Sequence, residues 1–503
     1  MRLHYDFASG DEKGEKSRMT NFNIQSLSQL DRSRFAGYKA NLDFYNGEQW
    51  ADSSLRSSTK NRQLVFNYAK IAIDKVTSYL MEGLNFACEP SENQTSNIKN
   101  QKLSSKDQRD TARTAEKVIY DVYHQNNLQE LDYETEVDTA ILGDGCFKVT
   151  WDAQEKRIRV TSPDVTGLFA WWLGDDLSQV WRVASRYTLT REEVEQLYPS
   201  LRSRTGQRQT DKKTVTITEL WTDRQFTLSL DNETIEDKPN PYGFIPFVIF
   251  PNVRQPKHFW GTSDIPPLKQ AQRELNRALS QLSRILEVSG NPIAVLEGVE
   301  SAEEIKVQPG AVWTIPEEAK AYLLDLLAGG GIRLHVDYID MIYRCLHDIS
   351  ESPRAAYGGI ERELSGVALE MELQSLLQKV RRKRTIRSAA YARRCQMILK
   401  LHKQFAGEDL TDVDTRIVWG AVLPQDRARL AQNEQVLVQS GVHSRRTAMD
   451  ELGIRDPEAE FEKWLEERKR ILEMNQQYRA RSTRGSERER TAAAEMEPVV
   501  LNE

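Results

Sequence analysis

The sequence has few cysteines, no long apolar run and no recognisable catalytic motif. Its four cysteines, Cys88, Cys146, Cys345 and Cys395, lie at least 50 residues apart and form no CxxC pair, so they indicate neither a zinc ribbon nor a disulfide framework. The apolar stretches fall well short of the ~18 residues that a membrane span needs, and residues 1–18 lack the apolar core of a signal peptide. We therefore expect a product of the reducing cytoplasm that is not anchored in a membrane.

The motifs of nucleotide-dependent and hydrolytic enzymes are also missing. The chain contains no GxxxxGK(S/T), GxGxxG, GxSxG or HExxH string. The triplet Gly143-Asp144-Gly145 has the composition of a turn. Adjacent carboxylates such as Asp175-Asp176 point apart on a strand or turn, so they do not converge on one ion. The sequence predicts no catalytic residue, no cofactor and no metal site.

Neither sign of charge dominates the composition. The chain has 69 Lys and Arg against 75 Asp and Glu, a net charge of -6, which excludes a basic nucleic-acid coat protein. Hydrophobic residues make up 39% of the sequence, which is enough to bury real cores and excludes a wholly disordered chain. At roughly 100–200 residues per domain, the length indicates about three domains.

Apolar periodicity indicates an α+β fold. Helical spacing recurs in four early segments: 26–50, 67–81, 110–126 and 128–142. The period then changes to alternation, for example at Phe147, Val149 and Trp151 and at Val215 and Ile217, which is typical of half-buried antiparallel strands. Because these strands are short and are joined by Gly and Asp turns, we expect meanders rather than a parallel nucleotide-binding sheet.

From Gly261 onwards the pattern is mainly helical. A helix begins near Ser263, with Pro266 and Pro267 in its first turn, and ends at Gly290. The segments that follow are a small insertion with strands at 293–296 and 311–315, helices at 334–350 and 367–405, and C-terminal helices at 425–439, at 444–452 and from Pro457. The 39 residues of the longest helix would span about 58 Å, so we expect this helix to bend or to bridge domains.

One of these helices carries the best metal-like cluster of the sequence. Asp337, Asp340, His347 and Asp348 lie broadly on one helix face, but Arg344 lies among them, and a cation among the ligands disfavours a metal. The opposite face carries apolar residues: Leu334, Ile339, Ile342, Leu346 and Ile349. We therefore favour an amphipathic helix with a solvated polar side over a metal site.

The longest helix carries the strongest charge feature. Residues 361–405 contain 11 Lys and Arg against 4 Asp and Glu. The basic residues are concentrated in the run 379–384 and at Arg387, Arg393 and Arg394. One interpretation is contact with nucleic-acid phosphates. We favour the other, a solvated helix face that pairs with acidic neighbours on another subunit, because aromatic residues that would stack on single strands are almost absent.

The insertion between the first two of these helices has the opposite charge. Residues 290–330 carry seven acids and two bases. An acidic surface at the tip of a helical hairpin repels DNA and suits a protein partner.

In this order the elements resemble a tailed-bacteriophage portal protein, and short strings agree with that family. The similar strings are Phe44–Trp50 (FYNGEQW), Asn67 followed by Tyr79–Gly83, Ile141–Phe147, Gly261–Asp264 with Asn276 and Ser280, Leu364–Leu369, Gly441–Ser444, and Arg455–Glu458 with Glu460. Their order and spacing, rather than any single string, make the resemblance specific. It covers residues 30–475.

The resemblance implies a portal fold with an α/β wing, a two-helix stem, a small β-containing clip, a long wing-spanning helix and a helical crown. The implied parts are a flexible tail (1–25), the wing (26–262), stem helix 1 (263–289), the clip (290–331), stem helix 2 (332–351), the tunnel loop (352–364), the long wing helix with its following segment (365–423), the crown (424–477) and a flexible C-terminal tail (478–503).

The same resemblance implies a non-enzymatic ring, usually of twelve subunits, at one capsid vertex of the virion, assembled in the host cytoplasm. Double-stranded DNA passes through such a ring during packaging and ejection. The implied partners are the terminase, which supplies ATP hydrolysis, the head–tail adaptor, and the major capsid and scaffolding proteins. The absence of a P-loop agrees with this division of labour.

Residue roles follow from the implied parts. The tunnel loop contributes Arg354, Tyr357, Gly358 and Gly359; the partner-docking acids of the clip are Glu300, Glu303, Glu304, Glu317 and Glu318; and the stem lumen or subunit interface contributes Asp337, Asp340, Arg344, His347 and Asp348. Two rival hypotheses remain: a metal-dependent DNA-processing enzyme that uses Asp337, Asp340 and Asp348, and a DNA-binding protein that uses residues 379–394.

Overall fold

The computed structural model describes residues 31–50, 63–91, 105–197, 214–231, 233–290, 294–297, 318, 320–323, 331–359, 366–422, 427–454 and 457–494. The predicted tail at 1–25 and the predicted strand at 311–315 lie outside these ranges. The chain divides into two compact units, one formed by residues 1–82 and 88–417 and the other by residues 83–87 and 418–503.

Four helices begin the first unit, as the apolar spacing predicts. They are α1 (Arg32–Tyr45), α2 (Tyr68–Met81), α3 (Ser105–Gln125) and α4 (Leu128–Leu142). Asn67 caps α2, since its side chain accepts a hydrogen bond from the backbone N–H of Lys70. Gly143 ends α4 with a φ of 112°, a conformation that favours glycine. The predicted bounds of α2 and α4 are confirmed, because local caps set them.

Two antiparallel sheets complete the mixed architecture. The strands are β1 (Asn85–Pro90), β2 (Asp144–Asp152), β3 (Arg157–Thr161), β4 (Leu168–Leu173), β5 (Asp176–Thr190), β6 (Thr214–Trp221), β7 (Gln225–Leu230), β8 (Glu233–Pro239) and β9 (Phe247–Pro251), with a short helix α5 (Arg191–Leu197) after β5. One sheet has the order β3-β2-β9, and the other is the five-stranded meander β4-β5-β6-β7-β8. The prediction of an α+β fold with meanders is confirmed.

Apolar side chains of the helices and both sheets form the main core of this unit. Phe44, Ile73, Leu168, Ile217 and Leu228 are buried in one cluster. A second cluster joins α3 and α4 to β2 and β3. The helices therefore cover the sheets, as the half-buried strand pattern requires.

Two long helices follow the sheets, separated by a β hairpin. They are α6 (Ile265–Gly290) and α7 (Gly331–Ser350), with β10 (Ala294–Glu297) and β11 (Lys320–Leu323) between them. The two strands pair antiparallel. The first is close to the predicted strand at 293–296, whereas the sequence analysis missed the strand at 320–323.

The predicted 39-residue helix is present with one interruption. It consists of α8 (Gly366–Glu372) and α9 (Gln374–Ala406), and Leu373 between them has a ψ of 2°. Backbone hydrogen bonds run from Leu373 N to Leu369 O and from Leu377 N to Leu373 O, so the two pieces stay connected. A last strand, β12 (Val413–Val418), pairs with β1.

The second unit contains the three C-terminal helices. They are α10 (Arg427–Gln439), α11 (Arg445–Glu451) and α12 (Pro457–Ala494). The prediction of an unpatterned tail from residue 478 is wrong up to Ala494, because α12 continues to that residue. Among the described residues, no helix is both long and apolar enough to cross a membrane.

Candidate functional site at the stem helices and the basic helix

The helices α6 and α7 pack through a small apolar seam. Leu275 and Ala278 of α6 and Ile342 and Leu346 of α7 are buried together. These residues recur at three- and four-residue steps, which places them on one face of each helix. The seam fixes the two helices side by side.

The polar face of α7 does not form a metal site. Arg344 pairs with Asp340 at 2.6 Å, and within the described residues no three His, Cys, Asp or Glu side chains converge on a point that could hold an ion. Asp337 and Asp348 are exposed. The rival enzyme hypothesis required these carboxylates to meet, and they do not.

Three side chains of α7 lie on the side opposite to the one the sequence predicts. His347, assigned to the solvated side, is only 7% exposed. Leu334 and Ile349, assigned to the apolar side, are 73% and 44% exposed. The reason is that α7 packs on more than one neighbour, including the loop that follows it, so a single apolar stripe does not describe its surroundings.

A row of polar side chains on α6 holds an extended segment of chain. Gln272, Asn276 and Ser280 recur every four residues and share one helix face. Asn276 Oδ1 accepts from Phe66 N at 3.0 Å, and Ser280 Oγ accepts from Leu64 N at 3.0 Å. Gln272 Nε2 donates to Phe66 O at 2.5 Å. The helix thus supplies hydrogen-bond partners to backbone groups of this segment, as a neighbouring strand would.

The same network joins three of the strings that resemble the portal family. Asn276 Nδ2 donates to Gln49 Oε1 at 2.5 Å, and Gln49 Nε2 donates to Asn67 Oδ1 at 3.0 Å. Asn67 Nδ2 in turn donates to Tyr45 O at 2.7 Å. The string around Gln49 and the helix residue Asn276 therefore form one contact that joins α6 to the segments around Tyr45 and Asn67.

Two other strings that contain glycine, Ile141–Phe147 and Gly261–Asp264, lie against each other at the start of α6. Gly261 N donates to Asp144 Oδ1 at 2.8 Å, and Asp264 N donates to Ala140 O at 2.9 Å. A Cβ atom on Gly261 would lie only 2.5 Å from Gly143 O. Close backbone approach requires glycine here, which gives these strings a physical reason.

Five of the eight cations in the basic run of α9 are buried, and for these five this overturns both interpretations of the charge. Lys379, Lys383, Arg384, Arg387 and Arg394 are all buried, Arg387 with 0% exposed. Their partners are carboxylates and backbone carbonyls of the first unit. Because a buried cation reaches neither solvent nor a phosphate, these residues are not a solvated face that pairs with another subunit and not DNA ligands. The exposed cations of the run are Arg381, Arg382 and Arg393.

Arg387 is the centre of this buried set. Its Nε donates to both carboxylate oxygens of Glu136, at 2.9 and 2.8 Å. Its Nη1 donates to Pro251 O at 2.8 Å and to Asn252 O at 2.9 Å. One side chain thereby connects α9 to α4 and to the end of β9.

A second arginine repeats the pattern two turns further along α9. Arg394 makes a two-pronged ion pair with Asp132, with Nη2 2.9 Å from Oδ2. Its guanidinium also lies 4.5 Å from the ring centre of Phe147. Asp132 and Glu136 are one turn apart on α4, so α4 and α9 face each other through two buried ion pairs.

Asp264, at the start of α6, binds two lysines of α9. Lys383 Nζ lies 2.5 Å from Oδ2, and Lys379 Nζ lies 3.6 Å from Oδ1. Burial alone would raise the pKa of Asp264, but the two ammonium groups lower it to about 2. Burial lowers the pKa of Lys383 to about 8 despite its contact with Asp264.

The basic helix also contacts the C-terminal ends of two other helices. Arg384 donates to three backbone carbonyls at the end of α2, at 3.0 to 3.1 Å. Lys379 Nζ donates to the carbonyl of Ser350, the last residue of α7, at 3.0 Å. Cations stabilise helix C-termini because the last carbonyls lack partners and carry partial negative charge. We use the name basic clamp for the five buried cations of α9: Lys379, Lys383, Arg384, Arg387 and Arg394.

The first half of the predicted tunnel loop is folded against α7. Arg354–Tyr357 form a 3-10 turn that ends at Gly358, with a φ of 82°. His347 Nδ1 donates to Ser352 O at 2.8 Å, and Tyr357 Oη donates to Ser352 Oγ at 2.9 Å. Arg354 is exposed. Residues 360–364 of the predicted loop lie outside the described ranges.

Most of the predicted clip also lies outside the described residues. Glu300, Glu303, Glu304 and Glu317 are not described, and Glu318 is exposed next to β11. The role of these acids therefore stays a prediction.

The pKa of Asp264 predicts how acid weakens the basic clamp. Replacing Asp264 with asparagine should destabilise the first unit by about 2–3 kcal/mol at pH 7, because Lys383 loses its counter-charge. In the unchanged protein the carboxylate stabilises the fold above about pH 4, and this contribution disappears as the pH falls through about 2. The stability difference between the two proteins should therefore shrink from pH 4 to pH 2, as measured by urea unfolding.

Asp348→Asn provides the matched control for this pH series. Asp348 is exposed, so its replacement should change the unfolding free energy by less than about 0.5 kcal/mol at each pH. A difference for Asp264→Asn that stayed constant from pH 7 to pH 2 would contradict the assignment.

The sequence matches the model of one protein family, phage portal protein, SPP1 Gp6-like, over residues 27–474. No curated protein matches the sequence. The family match covers most of the chain and begins and ends close to the limits of the resemblance drawn from short strings. Members of the family are structural proteins of the virion that form rings associated with the capsid. The chain therefore belongs to the SPP1 Gp6-like family of phage portal proteins.

Proposed function

We propose that this portal protein forms a ring, usually of twelve subunits, that conducts double-stranded DNA during packaging and ejection. The ring occupies one capsid vertex, where the clip docks the terminase and later the head–tail adaptor. Scaffolding and major capsid proteins surround it during assembly in the host cytoplasm. The family match over residues 27–474 is the observation that carries this proposal.

The proposed stem helices, α6 and α7, support the proposal because one side of the pair is bound to the rest of the first unit and another side is exposed. The α6 network and the basic clamp hold both helices to the wing. At the same time, apolar side chains of α7 are exposed: Leu334, Val336, Met341 and Ile349. Leu334, Met341 and Ile349 lie on one side of α7, and exposed apolar residues on a firmly held helix suit contact with a neighbouring subunit.

Net charge supports passage of DNA rather than its retention. The subunit carries a net charge of -6, and five cations of α9 are buried in the basic clamp. Each phosphate that a protein neutralises adds salt-sensitive affinity. A channel wall with few exposed cations lets the duplex slide.

Electron microscopy of the purified protein tests the ring directly. We expect rings with an axial hole, whose symmetry can be counted in end views. A protein that stays monomeric under all conditions, including assembly together with scaffolding protein, would refute the proposal.

Charge reversal in the clip tests the docking role. Replacing Glu300, Glu303 and Glu304 with lysine should weaken binding of the terminase or the adaptor at least about tenfold, because three attractive charges become repulsive. Binding is measured by surface plasmon resonance with immobilised rings. The control reverses three exposed acids of α12: Glu466, Glu467 and Glu473. Unchanged affinity for both partners would show that the clip acids are not the contact.

A further inference from the structure

A groove of about 610 Å³ in the first unit lies between the β4–β5 hairpin, strand β9 and the helix α9. All three elements contribute apolar side chains to its lining, among them Val180, Ile249 and Met397. Leu173 and Trp181, which also line it, are 53% and 37% exposed. A concave surface of this size with a mainly apolar lining is typical of a binding site.

The open edge of β9 lines this groove. Residues of an antiparallel strand alternate between bonding to the partner strand and pointing away from it. Pro246 O, at 2.9 Å, and Asn252 N, at 2.7 Å, form hydrogen bonds across the pairing of β9 with β2, so the even-numbered residues bond to β2. Phe247 and Ile249 therefore direct their N–H and C=O groups away from β2. No other described strand pairs with β9, and both residues line the groove.

An open strand edge of this kind accepts an extended peptide as an additional strand. Main-chain hydrogen bonds then provide affinity, and alternate side chains of the peptide enter the pockets beside the edge. The apolar walls on either side of Ile249 suit such side chains. A helix would not use the N–H and C=O groups of Ile249, because its own backbone groups bond to one another.

Two arginines give the groove a preference for negative charge. Arg254 and Arg393 line it and are exposed, and neither has an ion-pair partner among the described residues. Asp223, an acid in the lining, lies 3.9 Å from Arg224. Guanidinium groups bind carboxylates through two parallel hydrogen bonds. The groove therefore fits a peptide that carries carboxylates as well as apolar side chains.

We propose that this groove binds an extended acidic segment of another protein as an additional strand beside β9. The backbone of the segment bonds to Phe247 and Ile249, and its carboxylates pair with Arg254 and Arg393. Its apolar side chains pack against the walls of the groove. Because the groove lies wholly within the first unit, a single subunit provides the complete site.

Binding of designed peptides to the full-length protein tests the charge preference. The probes are three fluorescein-labelled peptides, Glu-X-Glu-X-Thr-X-Glu, in which X is valine, leucine or phenylalanine, and binding is measured by fluorescence anisotropy. Arg254→Glu combined with Arg393→Glu should raise the dissociation constant at least about tenfold, because two attractive contacts become repulsive. Peptides with lysine for each glutamate should bind the unchanged protein more weakly by a similar factor.

The matched control combines Lys39→Glu with Arg381→Glu. It makes the same change in net charge at two exposed positions outside the groove, so the dissociation constant should stay within about twofold. Equal weakening by the two double variants would overturn the inference, because the effect would then come from net charge alone. Absence of saturable binding by all three acidic peptides would overturn it as well.

Hydrogen exchange tests the strand pairing, because it compares two neighbouring amides. The bound peptide should slow exchange of the Ile249 amide at least about tenfold and leave that of Val248, which already bonds to β2, unchanged. Mass spectrometry with electron-transfer fragmentation resolves the two positions. Sodium acetate at the same carboxylate concentration should protect neither amide. Unchanged exchange at Ile249, or protection there before the peptide is added, which would indicate that another copy covers the groove, would contradict the inference.

A competition experiment separates a peptide site from a simple anion site. Sodium acetate at the carboxylate concentration of the bound peptide should displace none of it, because acetate reaches the arginines but offers no backbone groups to β9. Complete displacement would show an anion site only and would overturn the inference.

Discussion

Replacing Arg387 with methionine is expected to lower the free energy of unfolding of the first unit by about 3–5 kcal/mol. Arg387 is fully buried and donates to Glu136, Pro251 and Asn252. Methionine fills part of the volume but removes the cation that faces the Glu136 carboxylate, which keeps only the distant Tyr391 hydroxyl at 3.5 Å, and removes the arginine donor of two carbonyl groups. An unpaired buried charge costs more than a well-made pair contributes.

Hydrogen exchange of the backbone amides in α4 and α9 measures this loss, because protection there reports opening of the first unit. Arg393→Met is the matched control: it lies on the same helix but is exposed, so we expect a change within about 0.5 kcal/mol. The double variant Glu136→Gln with Arg387→Met should recover part of the loss, since the unpaired charge is gone. Equal protection in the Arg387 and Arg393 variants would mean that the clamp does not hold the unit together.

Deleting Tyr357–Gly359 is expected to leave ring assembly intact and to reduce DNA packaging to the background of a reaction without portal. We expect this because the segment follows α7, the second of the proposed stem helices, and because Arg354 next to the segment is exposed. Under the proposed function this loop is the narrowest part of the channel. Packaging is measured as nuclease-protected DNA per capsid, and assembly by electron microscopy.

Tyr357→Phe is the control for this deletion. It removes only the hydrogen bond from the tyrosine hydroxyl to Ser352 and keeps the ring beside His347, 5.2 Å between ring centres. We expect packaging close to that of the unchanged protein. Full packaging by the deletion variant, with rings of normal appearance, would remove the role of the loop.

The basic clamp gives α2, α6 and α7 a common anchor. The start of α6, the end of α7 and the end of α2 all contact α9, through Asp264, Ser350 and Arg384 respectively. Breaking the Asp264 pair and breaking the Arg387 pair therefore probe different connections. The first loosens the start of α6 from α9, whereas the second loosens α4 and the end of β9 from α9.

Several parts of the fold can be predicted from the sequence because interactions between residues that are close along the chain determine them. The bounds of α4 follow from Leu128 after a turn and from Gly143 at its end. The strands follow from alternation, as at Val215 and Ile217. The order of short strings indicates the portal family. Two of these strings, the one around Gln49 and the one around Gly261, form hydrogen bonds on α6 or just before it.

The spacing of the charged residues also gives some indication that the basic run is buried, although the net charge of the segment does not. Lys379, Lys383 and Arg387 recur every four residues, as do Asp132 and Glu136 on α4. Such spacing places each set on one helix face. It shows that the two faces are complementary, but it does not show that they meet.

The sequence by itself determined the bounds of helices such as α2 and α4, the α+β class and the family, since caps, periodicity and short strings act over a few residues. Only the tertiary structure decided that the cations of α9 are buried and paired, because their partners Asp132, Glu136 and Asp264 lie more than 100 residues away along the chain. It likewise decided that His347 is buried and Leu334 exposed. Whether a charge is solvated depends on which distant elements fold against it, and periodicity along one helix carries no information about those elements.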